Sequence, residues 1–284
     1  LGPGKIWGKG LERTNTIDKM NDETNPKPNK SIALLNCRNI IIRDISILHG
    51  GWFGLLATGA DNLTVDNVKM DTNRDGMDID CCQNVRISNC FINSPMDDGI
   101  CLKSSYSLNK NRATENVTIT NCQVSGFEEG SFLDGTYKRV AKDEGGPTGR
   151  IKFGTESNGG FKNITISNCV FVYCRGLALE TVDGALLEDV SITNITMREI
   201  VNAPIFVRLG ARMRGPATDS VGTCQRIIIS NVVAYDVDPK QGAIISGVPG
   251  HNIKDLTLSN IRIYYKGGGT AAQAKTIVPG LEKE

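Results

Sequence analysis

An eight-residue pattern recurs through the chain and leaves it few folds to choose from: apolar, any, apolar, any, Asn or Asp, apolar, any, apolar. It reads Ile40-Ile42-Asp44-Ile45-Ile47, Leu63-Val65-Asn67-Val68-Met70, Val85-Ile87-Asn89-Cys90-Ile92 and Val117-Ile119-Asn121-Cys122-Val124. It continues at Ile164-Ile166-Asn168-Cys169-Phe171, Val190-Ile192-Asn194-Ile195-Met197, Ile227-Ile229-Asn231-Val232-Ala234 and Leu256-Leu258-Asn260-Ile261-Ile263, eight copies in all. Alternation with a period of two, rich in β-branched residues, predicts a short strand on each side of the central residue. That residue breaks the alternation and turns the chain, because Asn and Asp accept backbone angles that other L-residues avoid. Successive central residues lie 22 to 47 positions apart. The shortest intervals fit one turn of a β-solenoid, and the longer ones imply loops inserted into single turns.

Between the copies lies another short strand: Gly54-Leu55-Leu56-Ala57, Gly76-Met77-Asp78-Ile79, Gly99-Ile100-Cys101-Leu102 and Gly176-Leu177-Ala178-Leu179. Its counterparts in the remaining turns are Arg150-Ile151-Lys152-Phe153, Pro204-Ile205-Phe206-Val207 and Gly242-Ala243-Ile244-Ile245. Each turn then carries at least three strand pieces, which stack as parallel sheets around an apolar core with neighbours about 4.8 Å apart. Helical periodicity is nearly absent, and a leucine-rich repeat would need a more regular period and more leucine. The expected fold is all-β, a single-stranded right-handed parallel β-helix over residues 1–284. The chain opens abruptly at Leu1 in a glycine-rich stretch and reads as trimmed at its N-terminus.

A net charge of +1 gives no nucleic-acid footprint and no polybasic membrane patch, and no apolar run approaches the roughly 18 residues a spanning helix needs. Nine cysteines show no zinc spacing. Cys90, Cys122 and Cys169 occupy one point of the repeat and are expected as core thiols. The two histidines, His49 and His251, are far apart in sequence and support neither a histidine metal site nor a nucleophilic triad.

Aligning the short strands on their glycines puts Phe53, Asp75 and Asp98 at one position in three successive turns, so Asp75 and Asp98 stack, with Asp97 beside them. Carboxylates one strand spacing apart repel, which should raise at least one pKa. Asp residues also cap solenoid corners, but an aligned cluster in adjacent turns points to chemistry: hydrolysis of a glycosidic bond or binding of calcium.

The runs Asn73-Arg74-Asp75-Gly76-Met77-Asp78-Ile79-Asp80 and Asn93-Ser94-Pro95-Met96-Asp97-Asp98-Gly99-Ile100-Cys101-Leu102-Lys103-Ser104 resemble glycoside hydrolase family 28, the polygalacturonases and rhamnogalacturonan hydrolases. Members of that family are pectin-lyase-like right-handed β-helices with Asn-Thr-Asp and Gly-Asp-Asp motifs one turn apart. The resemblance runs from about Gly4 to the last repeat. It implies Asp97 as general acid, Asp75 with Asp98 as the pair that activates water, inversion of configuration, and no metal or cofactor. It also implies a polysaccharide or oligosaccharide partner and a secreted or periplasmic location. Nothing in the sequence argues for an oligomer, so a monomer is expected.

The departures from the family concern the sugar. The family's Gly-His-Gly segment is replaced by Gly149-Arg150-Ile151-Lys152-Phe153-Gly154-Thr155-Glu156-Ser157. Its Arg-any-Lys pair, which holds the substrate carboxylate, is replaced by Ala178 and Glu180. Arg150, Lys152 and Arg175 are candidate replacements for the lost cations, since Arg pairs well with carboxylates; Glu156 and Glu180 instead mark a different sugar. Relatives that act on rhamnogalacturonan also lack the Arg-any-Lys pair, which makes a branched pectin a candidate substrate. Lys103 follows the Asp pair and faces either the groove or solvent. Trp52 and Phe53 are read as closing the core rather than stacking on sugar.

Inserts at about 11–30, 104–115 and 125–150 are expected to wall the cleft, with Glu128, Glu129, Asp134, Asp143 and Glu144 as solvated loop charges. The Asn-X-Thr/Ser sites at Asn62, Asn116, Asn163 and Asn194 are read as part of the repeat. Three functions stay open: an inverting glycoside hydrolase, a calcium-dependent polysaccharide lyase, and a non-catalytic carbohydrate-binding β-helix.

Overall fold

Alternating apolar residues can bury one face of a strand only if another layer covers it, and the repeat supplies that layer from its own neighbouring turns. The computed structural model describes residues 3–8, 29–141, 147–216, 220–240 and 242–275. Its strands form two parallel sheets, one of thirteen and one of eight strands. The repeat builds the larger sheet. The first apolar residue of each copy falls in one column, Ile40, Leu63, Val85, Val117, Ile164, Val190, Ile227 and Leu256, each paired in register with the next. The smaller sheet stacks Phe53–Thr58, Asp75–Asp80, Ile100–Ser104, Ile151–Ser157, Leu177–Thr181 and Ile205–Leu209 in chain order. The chain is a parallel β-helix.

All eight central residues of the repeat turn the chain with positive φ, from 49° at Asn67 to 58° at Asp44. Their side chains also bond along the stack. Asn67 Nδ2 donates to Asp44 Oδ1 at 2.9 Å, Asn194 to Asn168 at 3.1 Å and Asn260 to Asn231 at 2.8 Å. A second column of positive-φ residues, which the sequence reading passed over, runs five positions earlier through Asn39, Asn62, Asn84, Asn116, Asn163, Asp189, Arg226 and Asp255. Asn62 donates to Asn39, Asn116 to Asn84 and Asn163 to Asn116. Three of the Asn-X-Thr/Ser sites thus belong to this ladder and Asn194 to the other. Where Asp189 and Arg226 replace Asn, a two-pronged ion pair bridges the turns at 2.7 and 3.1 Å.

The inward columns form one apolar core from Ile47 to Val237. Cys90, Cys122 and Cys169 are buried in it as free thiols. Trp52 is buried, as the sequence reading expects, though outside the continuous cluster, with the Arg74 guanidinium 4.2 Å from its ring centre. The half-buried Phe53 likewise stands outside the core, its ring 5.8 Å from Lys103 Nζ. Both aromatics precede Gly54, Phe53 as the first residue of its strand, and their rings lie against Arg74 and Lys103.

Asn121, with φ of 54° and a 3.3 Å bond to Asn89, tests the ladder. Asn121→Ala should lower stability by about 1–2 kcal/mol through the left-handed backbone alone. Asn121→Gly should cost less, because it loses only the side-chain bond. Urea midpoints for the two variants check this; equal losses for Ala and Gly would mean that the bond, not the backbone, is what Asn contributes.

Candidate active site

Glycine sets the approach of the turns that carry the aspartates. Met77 pairs with Ile100, which places Gly76 beside Gly99 and Asp75 beside Asp98, and Gly76 N donates to Asp98 O at 3.0 Å. A Cβ on Gly76 would sit 2.4 Å from Gly99 O and 2.3 Å from Ile92 Cγ2, so no other residue allows the turns to close here. Asp97 is fixed by its own turn: its Oδ1 accepts Asp98 N at 3.0 Å, and its carbonyl accepts Ser94 Oγ at 3.0 Å. One carboxylate oxygen from each of Asp75, Asp97 and Asp98 lies within 4.8 Å of the others.

Their environments differ. Asp75 is buried, and burial together with the charges of Asp78 and Asp97 pushes its pKa well above the usual carboxylate range. Burial would raise Asp98 as well, but Lys152 and Arg150 outweigh it and bring Asp98 to about 2. Arg150 Nε donates to Asp98 Oδ1 at 2.8 Å, and Lys152 Nζ stands 3.5 Å from Oδ2. Asp97 is paired with Arg74 at 2.5 Å, the same guanidinium that rests on Trp52. Asp78, outward on its strand, is raised to about 6 by burial, opposed by Lys103 at 2.8 Å.

The other candidates gather around this cluster. Lys152 takes the outward position next to Cys101, with Asp78 one turn beyond Cys101, and Ala178 continues the column. Glu180 lies 3.7 Å from both Arg150 and Lys152. Lys103 is largely buried and turns toward the acidic residues, reaching Glu156 at 3.6 Å as well as Asp78 at 2.8 Å. Lys103 and Arg212 hold the carboxyl of Glu156 below its ordinary pKa against the effect of burial. Arg175 is partly buried, and burial and the nearby Arg150 lower its pKa.

Sequence reasoning missed Arg74, Asp78 and Arg212. Arg74 and Asp78 flank Asp75 within the quoted motif and could have been flagged as charges beside it. Arg212 comes from a distant segment and had no signal. The wholly buried Asp183 holds it in place, taking Arg212 Nε at 3.0 Å, Arg214 N at 2.9 Å and Ser157 N at 3.1 Å.

The 125–150 insert docks beside the cluster. Asp71 accepts Gly130 N and Leu133 N, and farther on Thr148 N and Gly149 N donate to Pro95 O and Asp97 O. Glu129 corrects the expectation of solvated charges: its side chain is only 5% exposed, 3.2 Å from His49 Nδ1. The loop folds back onto the coil, and this carboxylate goes under with it. The 104–115 insert runs along the opposite corner, with Arg112 on Asp61 at 2.7 Å. Of the expected walls, 11–28 lies outside the described residues, as do Asp143 and Glu144.

The three aspartates offer the oxygen set that a hard cation such as calcium takes. Arg74, Arg150 and Lys152 already occupy oxygens of Asp97 and Asp98, so an ion bound there would have to displace protein cations.

Comparison with known proteins bears on the fold. The family model described as right handed beta helix region matches residues 12–140, and the chain is a right-handed parallel β-helix. No curated protein matches it in sequence. In structure it is similar to a hyperthermoactive exopolygalacturonase from Thermotoga maritima, at 16% identity and a TM-score of 0.62, over 82% of this chain and 50% of that one. It is also similar to a polygalacturonase from Erwinia carotovora ssp. carotovora, at 14% identity and 0.61, over 94% of this chain and 68% of that one. An alginate lyase from Paenibacillus sp. aligns at 12% identity and 0.52, over 84% of this chain and 75% of that one. The chain thus spans half of the first of these proteins and about two thirds of the second.

The raised pKa of Asp75 carries a stability cost with a defined sign. Between the unfolded pKa, near 3.8, and the higher folded value, the native state binds more protons. Stability therefore falls as pH rises through that window, and the penalty is complete above the folded pKa. Asp75→Asn removes it, so the variant should unfold at a higher temperature than the parent at pH 8. The two should converge near pH 4. Thermal melts across that range check it; equal melting points at pH 8 would show that Asp75 is not strained.

Proposed function

We propose that this chain is a glycoside hydrolase of the family 28 type, cleaving pectin-type polysaccharide of the galacturonan or rhamnogalacturonan kind. The observation that carries this reading is the placing of Asp75, Asp97 and Asp98 on adjacent turns with their oxygens within 4.8 Å. Asp97 passes a proton to the leaving glycosidic oxygen. Asp98, kept ionised by Arg150 and Lys152, and Asp75 hold a water that attacks the anomeric carbon and take its proton. Mutual repulsion between carboxylates this close keeps a proton within the cluster at the start. The glycosidic C–O bond breaks and water's oxygen forms the new one; Asp97 ends without its proton, the Asp75–Asp98 pair ends with the one taken from water, and a single proton transfer through solvent restores the starting state.

The cluster is tighter than the roughly 6.5–9.5 Å between the two carboxyls of most inverting enzymes. Inversion here needs the water seated against the Asp75–Asp98 pair, on the far side of the anomeric carbon from the leaving oxygen. Arg74 positions Asp97, and the substrate's glycosidic oxygen exchanges with that guanidinium on binding. A polymer of this kind is met outside the cytoplasm, which is where we place the protein, acting as a monomer.

The oxygen set of the three aspartates is the observation behind a second reading, a calcium-dependent lyase in which the ion displaces the protein cations; the Paenibacillus neighbour is an alginate lyase by name, so the fold does not decide between them. Product analysis on homogalacturonan and rhamnogalacturonan oligosaccharides separates the two. Hydrolysis gives saturated products, unchanged by chelator, and NMR of the fresh product shows an inverted anomer. Asp97→Asn should lower turnover about 10²–10⁴-fold. Unsaturated products abolished by chelator would establish the lyase instead.

A further inference from the structure

Apart from the partly buried Arg175, the cations around the cluster are matched by the protein's own carboxylates. Lys152 Nζ stands 3.5 Å from Asp98 and 3.7 Å from Glu180, and Arg150 reaches Asp98 at 2.8 Å and Glu180 at 3.7 Å. One step along the groove, Lys103 pairs with Asp78 at 2.8 Å and Glu156 at 3.6 Å. Arg212 lies on Asp183 at 2.5 Å and on Glu156 at 3.7 Å. The Lys152–Glu180 pair is largely shielded from water, its side chains 12% and 8% exposed. Screening is weak at that depth, so the pairing is felt strongly by any charge brought beside it.

A sugar carboxylate needs a cation with unspent charge, ideally a two-pronged Arg. Here it would meet Lys152 and Arg150 already neutralised and would lie against Glu180. A hydroxyl-rich neutral sugar meets the opposite situation. Its hydroxyls can donate to Glu180 and Glu156 and accept from the N–H groups of Lys152 and Arg150 that the ion pairs leave unused, with no charge to desolvate.

We propose that the sugar unit seated over the Lys152–Glu180 pair, beside the three aspartates, is neutral, and that Glu180 rejects a uronate there. The substrate is then a chain that presents a neutral sugar at that position, as a polymer alternating neutral and acidic units does, rather than an unbroken run of uronates. This rests on the glycosidase reading of the same site.

The test uses matched chains. Homogalacturonan and rhamnogalacturonan oligosaccharides are each prepared native and with carboxyls reduced to primary alcohols, so members of a pair differ only in that charge. Binding is measured by calorimetry with Asp97→Asn, which holds the chain uncut, and again with Glu180→Gln added. The expected result is at least tenfold tighter binding of reduced homogalacturonan than of the native form. Glu180→Gln should shift that ratio at least tenfold toward the native form.

Tighter binding of native homogalacturonan by the site with Glu180 intact would overturn the proposal. A ratio unmoved by Glu180→Gln would do the same, because it would show that Glu180 is not the discriminating charge. If the preference and its shift are found but the wild-type protein cuts none of the chains, the inference stands and the hydrolase reading falls. If none of the four chains binds, both fall.

Discussion

The in-register stacking of one turn on the next, at about 4.8 Å, is the constraint on which the rest depends. It makes each position of the repeat a column in which every residue meets its own kind above and below. Apolar columns become core, as in the unbroken run from Ile40 through Val85 to Leu256. Amide columns become ladders, because Asn has both a donor and an acceptor to offer along the stack. Carboxylate columns are the expensive case. Asp75 over Asp98 persists because the next turn supplies Arg150 and Lys152, which settle the charge on Asp98 and leave the strain on Asp75.

That logic explains what the sequence made legible. The eight copies could be read because one alternation was repeated with Asn at its centre, and every one of those centres turns with positive φ. The glycine-aligned register brought Asp75, Asp97 and Asp98 together because a column position is fixed by backbone pairing, independent of side-chain choice. The second Asn column was equally visible in principle, but it falls where a strand begins and breaks no alternation.

What remained hidden is set by side-chain direction and by long-range docking. Arg74 stands next to Asp75 in sequence, yet its guanidinium crosses to Asp97 in the next turn and lies on Trp52 from the turn before. Lys103 turned inward because Asp78, one turn earlier, holds it there. Arg212 arrives from a loop whose path depends on the buried Asp183, and it lies more than fifty residues along the chain from the Glu156 it pairs with. Glu129 submerged because Asp71 takes the backbone of its loop. None of these follows from local periodicity.

The two positive-φ columns are always five residues apart, while the interval from one copy to the next ranges from 22 to 47. The frame is therefore rigid in one direction and permissive in the other. Over generations, a lineage of such chains can lengthen, shorten or exchange what emerges at the corners, since the amide rungs re-establish the pitch as soon as the chain returns. The aspartate cluster and its surroundings can then vary separately: the frame fixes the spacing of the aspartates, and the loops at the corners are free to differ in what they bring beside them.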